Sequence, residues 1–297
     1  MVSVLLTGAS GRIGRTLASR LDDLCSEPAE VFLLENKTQL PSLPRFSKAR
    51  LQVIGAESLD AQHYDVALHL AAIADTSYCQ KPENREEVRA VNVGFTEKIC
   101  GLAEKVLFIS TDNVFKGDKD APDYKESDKT NPCSYYGETK AAAEQIVLRN
   151  DGAVIRIQYL LGAPNRIVDK AISEIRGEPG KYYPLWNDTY SRPAHFEDLL
   201  AVMRAVAFSW HTGIYHVSCE GEPLSRAQMG EKILLEYKRA GLPTSIDTLA
   251  GEPCSIPHFP RRLVLDTEKT QRDLGIKFAS VDDALARHVQ EYLAQQL

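Results

Sequence analysis

The 297-residue sequence contains no apolar run approaching the roughly 20 residues that a membrane-spanning helix requires. Its first residues, Met1-Val2-Ser3-Val4, pass directly into an apolar strand, with no basic stretch and no small-residue cleavage site, so no signal peptide is read and a cytoplasmic protein is expected. An excess of positive charge is also missing: 35 Lys and Arg stand against 41 Asp and Glu, a net charge of −6. That balance argues against nucleic acid or a membrane surface as partner, since neither attracts a net anion. It leaves room for an anionic small molecule held in a local basic pocket. The six cysteines (Cys25, Cys79, Cys100, Cys133, Cys219, Cys254) form no C-x-x-C pair and no cluster with histidine, so no metal site is expected and the thiols read as reduced. Cys133, close to Tyr136, reads as a small buried apolar residue. There is no internal repeat and no low-complexity tract.

What the chain does contain is alternation. Val4–Leu6, Val31–Leu34, Leu51–Gly55, Asp65–Ala72, Val106–Ile109, Ala153–Ile157 and Ile214–Val217 read as strands, with helical stretches between most of them, notably Pro82–Leu102 and Glu138–Arg149. This pattern predicts an α/β fold: a Rossmann-type doubly wound parallel sheet with a smaller C-terminal α/β substrate-binding lobe. Residues 1–160 form the expected dinucleotide-binding domain, rejoined by residues 190–218. Residues 161–189 and 219–297 form the lobe, with helices at 168–175, 222–240 (capped by Ser225), 266–274 and 281–294. A further helix is expected within 191–208.

Between the first strand and the helix carrying Ile13, Leu17 and Leu21 lies Thr7-Gly8-Ala9-Ser10-Gly11-Arg12-Ile13-Gly14. Gly8 permits the tight turn, Gly11 lets backbone approach a pyrophosphate, and Gly14 allows helix and strand to pack closely. Gly8, Ser10, Gly11, Arg12, Ile13 and Gly14 are the candidate cofactor-phosphate residues. Glu35, some twenty residues on at the end of the second strand, suits the adenosine ribose hydroxyls and repels a 2′-phosphate. NAD(H) is therefore the expected cofactor, and NADP(H), with Arg12 and Lys37 as the cations for its extra phosphate, is the alternative. Ala71 and Ala72 are small enough for a cofactor to cross the strand end. His69 reads as a packed strand residue. Tyr136 and Lys140, four residues apart on one helix face, form a candidate acid/base unit, because a nearby cation favours the phenolate.

Taken together, Thr7–Gly14, Ala71-Ala72, Ser110-Thr111-Asp112 and Tyr136-x-x-x-Lys140 resemble the extended short-chain dehydrogenase/reductase family. Leu33-Leu34-Glu35-Asn36 is similar to the strand end of its NAD-using members, which adds Asn36 to the cofactor residues. Ser110–Gly117, Arg192-Pro193 with Glu197-Asp198-Leu199, and Leu265-Asp266-Thr267 with Lys269 and Leu274-Gly275 resemble the dTDP-4-dehydrorhamnose reductase branch. That branch also contains the regulatory beta subunit of methionine adenosyltransferase. The resemblance implies that Thr111 hydrogen-bonds the substrate carbonyl, that Tyr136 is the proton donor, and that Lys140 binds the nicotinamide ribose and lowers the tyrosine pKa. It implies a relay role beside the cofactor for Asn92 and substrate contacts for Asp112, Asn113, Val114, Phe115 and Arg192. The implied activity is NAD(P)-dependent reduction of a nucleotide-linked 4-keto sugar, in a homodimer paired through helices 86–104 and 138–149. The alternatives are an epimerase that recycles its NAD, and a non-catalytic regulatory subunit. A dehydratase has an acid pair after the threonine, and here Asp112 is followed by Asn113. Departures from the branch are Asn113 in place of a tyrosine and Phe259-Pro260-Arg261-Arg262-Leu263 in place of Arg-Pro-x-Asn-Ser. Arg261 and Arg262 are further candidates for a diphosphate. Trp186, Tyr182 and Tyr183 are expected to pack within the lobe.

Overall fold

Short β-branched and leucine-rich segments separated by helices have one economical way to bury both faces, which is to pair in parallel beneath helical layers. In the computed structural model seven of them do so: β1 (Val2–Thr7), β2 (Ala29–Leu34), β3 (Ala49–Ile54), β4 (Tyr64–His69), β5 (Ala103–Thr111), β6 (Ala153–Ile157) and β7 (Gly213–Val217). The structure describes residues 1–35, 40, 42–118, 122–178, 184–256 and 259–294, with Arg166 as backbone only. Asn36, Lys37, Tyr182 and Tyr183 lie outside these residues. The sheet order is β7-β6-β5-β4-β1-β2-β3, and every pairing is parallel, with Leu5 opposite both Phe32 and Ala67.

Side chains alternate between the faces. Val4 and Leu6 join a core with Leu17, Leu199 and Met203, whereas Leu5 packs on the other side with Phe32, Tyr64, Phe108 and Val147. A separate apolar cluster holds Ile172, Leu185, Ile233 and Leu285, contributed largely by the Arg166–Ile175, Arg226–Arg239 and Val281–Ala294 helices. From β1 the chain first builds outward through β2 and β3, then returns to lay β4, β5, β6 and β7 on the other side. The order therefore reverses between β1 and β4, and the crevice of a doubly wound sheet opens beyond the strand ends at such a point.

Several boundaries differ from the sequence reading for identifiable reasons. Pro82–Leu102 is not one helix: Arg85–Arg89 and Phe95–Leu102 are α-helical, and Ala90–Gly94 between them is a π turn. Asn92 sits in that turn. Its Oδ1 accepts Ile73 N–H at 2.8 Å, and its Nδ2 donates to Ile73 O at 3.1 Å and Thr139 Oγ1 at 3.0 Å. A helix tethered sideways at one residue accommodates the tether as a π bulge. The helix expected from Glu138 begins at Tyr135, because the Ser134 hydroxyl caps Gly137 N–H at 3.1 Å. The helix expected within 191–208 runs from Phe196 to Ser209; the segment before it pairs as short strands, Tyr190–Ser191 with Leu224–Ser225 and Arg262–Leu263. Ser225 does cap its helix, in a full capping box with Gln228. All six cysteines are free, and Cys133 is exposed rather than buried.

Candidate functional site at the carboxyl end of the sheet

The glycine turn after β1 is shaped by the start of the segment after β4. Gly8 has φ +73°, and a Cβ there would lie 2.7 Å from Ala71 N and 2.8 Å from Leu70 C. At Gly14 a Cβ would press into the Gly8 carbonyl and lie 2.8 Å from Ala9 Cα. Both positions are closed to any side chain, which leaves bare backbone at the crevice mouth and fits a dinucleotide pyrophosphate. Gly14→Ala is expected to force the turn apart, weakening NADH binding by at least about tenfold and lowering Tm; a fluorescence titration with NADH and a thermal melt check both. Glu35 stands at the end of β2, where its Oε1 accepts Leu40 N–H at 3.0 Å. One carboxylate oxygen is thereby used by the chain itself.

The last three residues of β5 each meet one residue of the Tyr135–Arg149 helix. The Lys140 ammonium donates to Ile109 O at 2.7 Å, and Ser110 Oγ donates to Glu144 Oε1 at 2.5 Å. The Thr111 side chain lies close enough to the Tyr136 phenol to oppose the rise in its pKa. Tyr136, Lys140 and Glu144 follow at i, i+4 and i+8, one stripe down the helix. Asn92 supports this arrangement from the side through Thr139.

The electrostatics follow from burial. The half-buried Tyr136 phenol has its pKa raised, first by desolvation and then by the Asp112 charge, with the Thr111 side chain and the Arg12 charge opposing. The Lys140 ammonium is buried, bonded to Ile109 O and seated 3.7 Å from the Phe108 ring centroid. Burial pulls Lys140 down to about 7, against the charge of Glu144. His69 is the packed strand residue expected, with Nδ1 at 2.7 Å from Thr7 Oγ1 and Nε2 at 3.0 Å from Thr96 Oγ1. Burial and then Lys140 push it down to about 3.

Thr111 has a fully assigned hydroxyl. Its oxygen accepts Asn113 N–H and Asn113 Nδ2, each at 3.2 Å, and its proton points to Asp112 Oδ1 at 3.0 Å. Asp112 is fully buried, and among the described residues its Oδ2 has no hydrogen-bond partner. Burial pushes its pKa up to about 7 from 3.8. The fold thus favours the protonated acid, and the cost of ionising it grows as pH rises from 3.8 through 7 and is fully present above. Asp112→Asn removes that cost. The variant is expected to gain several degrees of Tm over wild type at pH 8.5 and clearly less at pH 5; equal differences at the two pH values would contradict this.

Other expected site residues fall elsewhere. Val114 and Phe115 are fully buried in a small core with Tyr124, Leu263 and Leu265, where Phe115 stacks on Tyr124 at 4.3 Å. The 3-10 turn Asp112–Val114 rolls them inward and leaves Asn113 at the surface of the cleft. Arg192 is bonded at 2.7 Å to both Asp123 Oδ2 and Leu265 O. Arg262 takes the other oxygen of Asp123 at 2.7 Å, and Arg261 pairs with Asp188 at 2.8 Å. These three arginines hold loops together.

The cleft itself, about 410 Å³, is lined by Arg12 and Ile13 of the glycine turn, by Asn113, and by Tyr159, Trp186, Arg226 and Phe259. Thr111 and Lys140 are buried and do not line it. Trp186 is both packed, as expected, and part of the wall. Among the described residues no group of three or more His, Cys, Asp or Glu is arranged to hold a metal, and no helix is long and apolar enough to cross a membrane.

The sequence from residue 2 to residue 294 matches the family model described as RmlD substrate binding domain. The chain belongs to that family. Among RmlD-type relatives it is 31% identical over 162 residues to a dTDP-4-dehydrorhamnose reductase of Mycolicibacterium smegmatis, covering 53% of this chain and 45% of that one. It is 26% identical over 220 residues to methionine adenosyltransferase 2 subunit beta of Bos taurus, covering 69% and 61%. The chain thus spans about half and about three-fifths of those two relatives. Among solved structures it superposes on MoeE5 in complex with UDP-glucuronic acid and NAD with a TM-score of 0.78, at 22% identity over 99% of this chain and 100% of that one. On dTDP-4-dehydrorhamnose reductase from Bacillus anthracis in complex with NADP the TM-score is 0.75, at 20% identity over 98% and 99%. At these identities the superpositions establish the Rossmann-like α/β fold.

Within this RmlD-type chain, sequence reasoning passed over Tyr159, Arg226 and Phe259. One signal was present. Arg226 directly follows the capping Ser225, and a cation at a helix start runs against the macrodipole.

Proposed function

We propose that this chain is an NAD(P)-dependent reductase of a nucleotide-linked 4-keto sugar, with Tyr136 as proton donor. The observation that carries the reading is the docking of the Tyr135–Arg149 helix, with Tyr136 and Lys140 one turn apart, onto the carboxyl end of β5 through Lys140–Ile109 and Glu144–Ser110, in a fold whose glycine turn opens into a cleft. Membership of the RmlD substrate binding domain family supports it, as do relatives named for dTDP-4-dehydrorhamnose reduction.

In this reading the backbone from Gly8 to Gly14, with Ser10, Arg12 and Ile13, holds the cofactor pyrophosphate, and Ala71 and Ala72 form the surface it crosses. The remaining oxygen of Glu35 serves the adenosine ribose, which favours NAD(H), with NADP(H) the alternative. The nicotinamide, when bound, supplies the hydride. Thr111 turns its proton from Asp112 to the substrate carbonyl and fixes that oxygen beside Tyr136. Tyr136 then donates its proton to the developing alkoxide. A phenol of raised pKa is reliably protonated at neutral pH, as a donor must be. Lys140, one turn along, stabilises the phenolate left behind. Asn113 presents its side chain to the sugar. Residues 161–189 and 219–297 act as the substrate lobe, and the helical segments within 86–104 and 138–149 as the homodimer face, in a cytoplasmic protein.

The test is a screen of nucleotide 4-keto sugars with NADH and with NADPH, followed at the reduced-nicotinamide absorbance band. Substrate-dependent oxidation supports the reading. The burial of Lys140 against Ile109 O and the likeness to a methionine adenosyltransferase subunit favour a second one, a dinucleotide-binding regulatory subunit. Absence of turnover with every sugar nucleotide, together with co-purification of an adenosyltransferase, would select it.

A further inference from the structure

Two cations line the cleft, and they come from different parts of the chain: Arg12 from the glycine turn and Arg226 from the first residue of the Arg226–Arg239 helix. Arg226 is only 5% exposed. Its Nε and Nη2 donate to the Tyr159 phenol oxygen at 3.0 and 2.8 Å, and its Nη1 donates to Pro184 O at 3.4 Å. The guanidinium carbon lies 4.0 Å from the Trp186 ring centroid, and Phe259 braces that indole edge-on at 4.5 Å. These contacts fix the plane of the guanidinium within a wall of the cleft. Asp75, the carboxylate on the cleft lining, is used as a helix cap and accepts Tyr78 N–H at 2.9 Å. Among the described lining residues the cleft thus carries two cations and one acid.

We infer that Arg226 is the residue that grips the substrate diphosphate, from the wall it forms with Tyr159 and Trp186. The inference rests on the nucleotide-sugar reading above. The Nε–Nη2 edge is held by the Tyr159 oxygen, and a guanidinium, with five donors in one plane, can add a phosphate oxygen to such a set where a lysine ammonium offers only three donors. Being already desolvated and oriented, Arg226 loses little further freedom when it binds. The phosphates of cofactor and substrate then have separate anchors, the glycine turn for one and Arg226 for the other. This division lets two anionic ligands share a cleft of about 410 Å³ without competing for one site. The arginines that the sequence offered for this task, Arg192, Arg261 and Arg262, pair with Asp123 and Asp188 off the lining of this cleft.

The experiment is calorimetric titration of wild type, Arg226→Gln and Arg226→Lys with dTDP, UDP, thymidine, uridine and NADH, each variant first checked by thermal melting. The expected result is binding of dTDP or UDP to wild type, weakened at least about tenfold in Arg226→Gln and by an intermediate factor in Arg226→Lys. Nucleoside and NADH affinities should be unchanged. Undiminished diphosphate binding by Arg226→Gln overturns the assignment and leaves the reductase reading standing. Parallel loss of NADH and diphosphate binding also overturns it, because Arg226 would then be supporting the cleft as a whole. If wild type binds neither dTDP nor UDP, the nucleotide-sugar reading falls, and the assignment with it.

Discussion

Tyr136→Phe is expected to lower kcat for ketone reduction by about 10²–10⁴-fold while leaving NADH affinity and Tm close to wild type. The substitution removes one oxygen from a half-buried side chain. Packing therefore changes little, and the Thr111 hydroxyl keeps its bonds to Asp112 and Asn113. The loss should fall on kcat, because the proton is transferred only as charge develops on the substrate oxygen. Single-turnover rates with NADH and a nucleotide 4-keto sugar are the direct measurement. A variant that reduces its substrate at a near wild-type rate would remove Tyr136 from the chemistry. A variant that instead loses NADH binding would make it a cofactor residue.

The second large effect concerns stability. Glu144 and Arg156 form a bidentate ion pair deep under the Tyr135–Arg149 helix, Nη2 to Oε2 at 2.7 Å and Nε to Oε1 at 3.0 Å, with both side chains essentially fully buried. Ser110 and Arg156 stand opposite each other in the β5–β6 register, so both reach Glu144 from adjacent strands. Arg156 Nη1 also lies 3.4 Å from His216 Nε2, a ring held neutral by burial. Arg156→Met leaves the Glu144 carboxylate without its cation and is expected to cost about 3–5 kcal/mol. That is a large part of the 5–15 kcal/mol typical of a folded protein and corresponds to a fall in Tm of roughly 10 °C. The double variant Glu144→Leu/Arg156→Met, which removes both charges, should recover much of the loss. Denaturant unfolding of the three proteins measures this, and a single variant within about 1 kcal/mol of wild type would show that water or another group already satisfies Glu144. The pair also bears on function. Glu144 is one turn beyond Lys140, and its attachment to Ser110 sits next in sequence to the Lys140–Ile109 bond, so it sets how the helix lies along β5.

The candidate site was legible wherever chemistry is written in local sequence. Glycine spacing marks the turn after β1 because only a missing Cβ fits against Ala71 and Ala9. The Tyr136–Lys140 stripe is visible because helix periodicity is. Arginines were not legible in this way. Arg192, Arg261 and Arg262 look like ligand-binding residues in a linear reading, yet two of them share Asp123, an acid 69 residues from Arg192. Val114 and Phe115 were misread for a related reason: the run around Thr111 looked like one functional segment, and a single 3-10 turn splits it between cleft and core.

The sequence by itself determined the parallel α/β fold, the place of the glycine turn and the stripe that carries Tyr136, since each follows from periodicity or from the size of a side chain. Tertiary structure decided the rest. It seated Lys140 against Ile109, buried Asp112 beside Tyr136, and selected Arg226 over three other arginines to line the cleft. The physical reason is that a charge takes its behaviour from partners and burial, and those partners come from segments that only folding brings together.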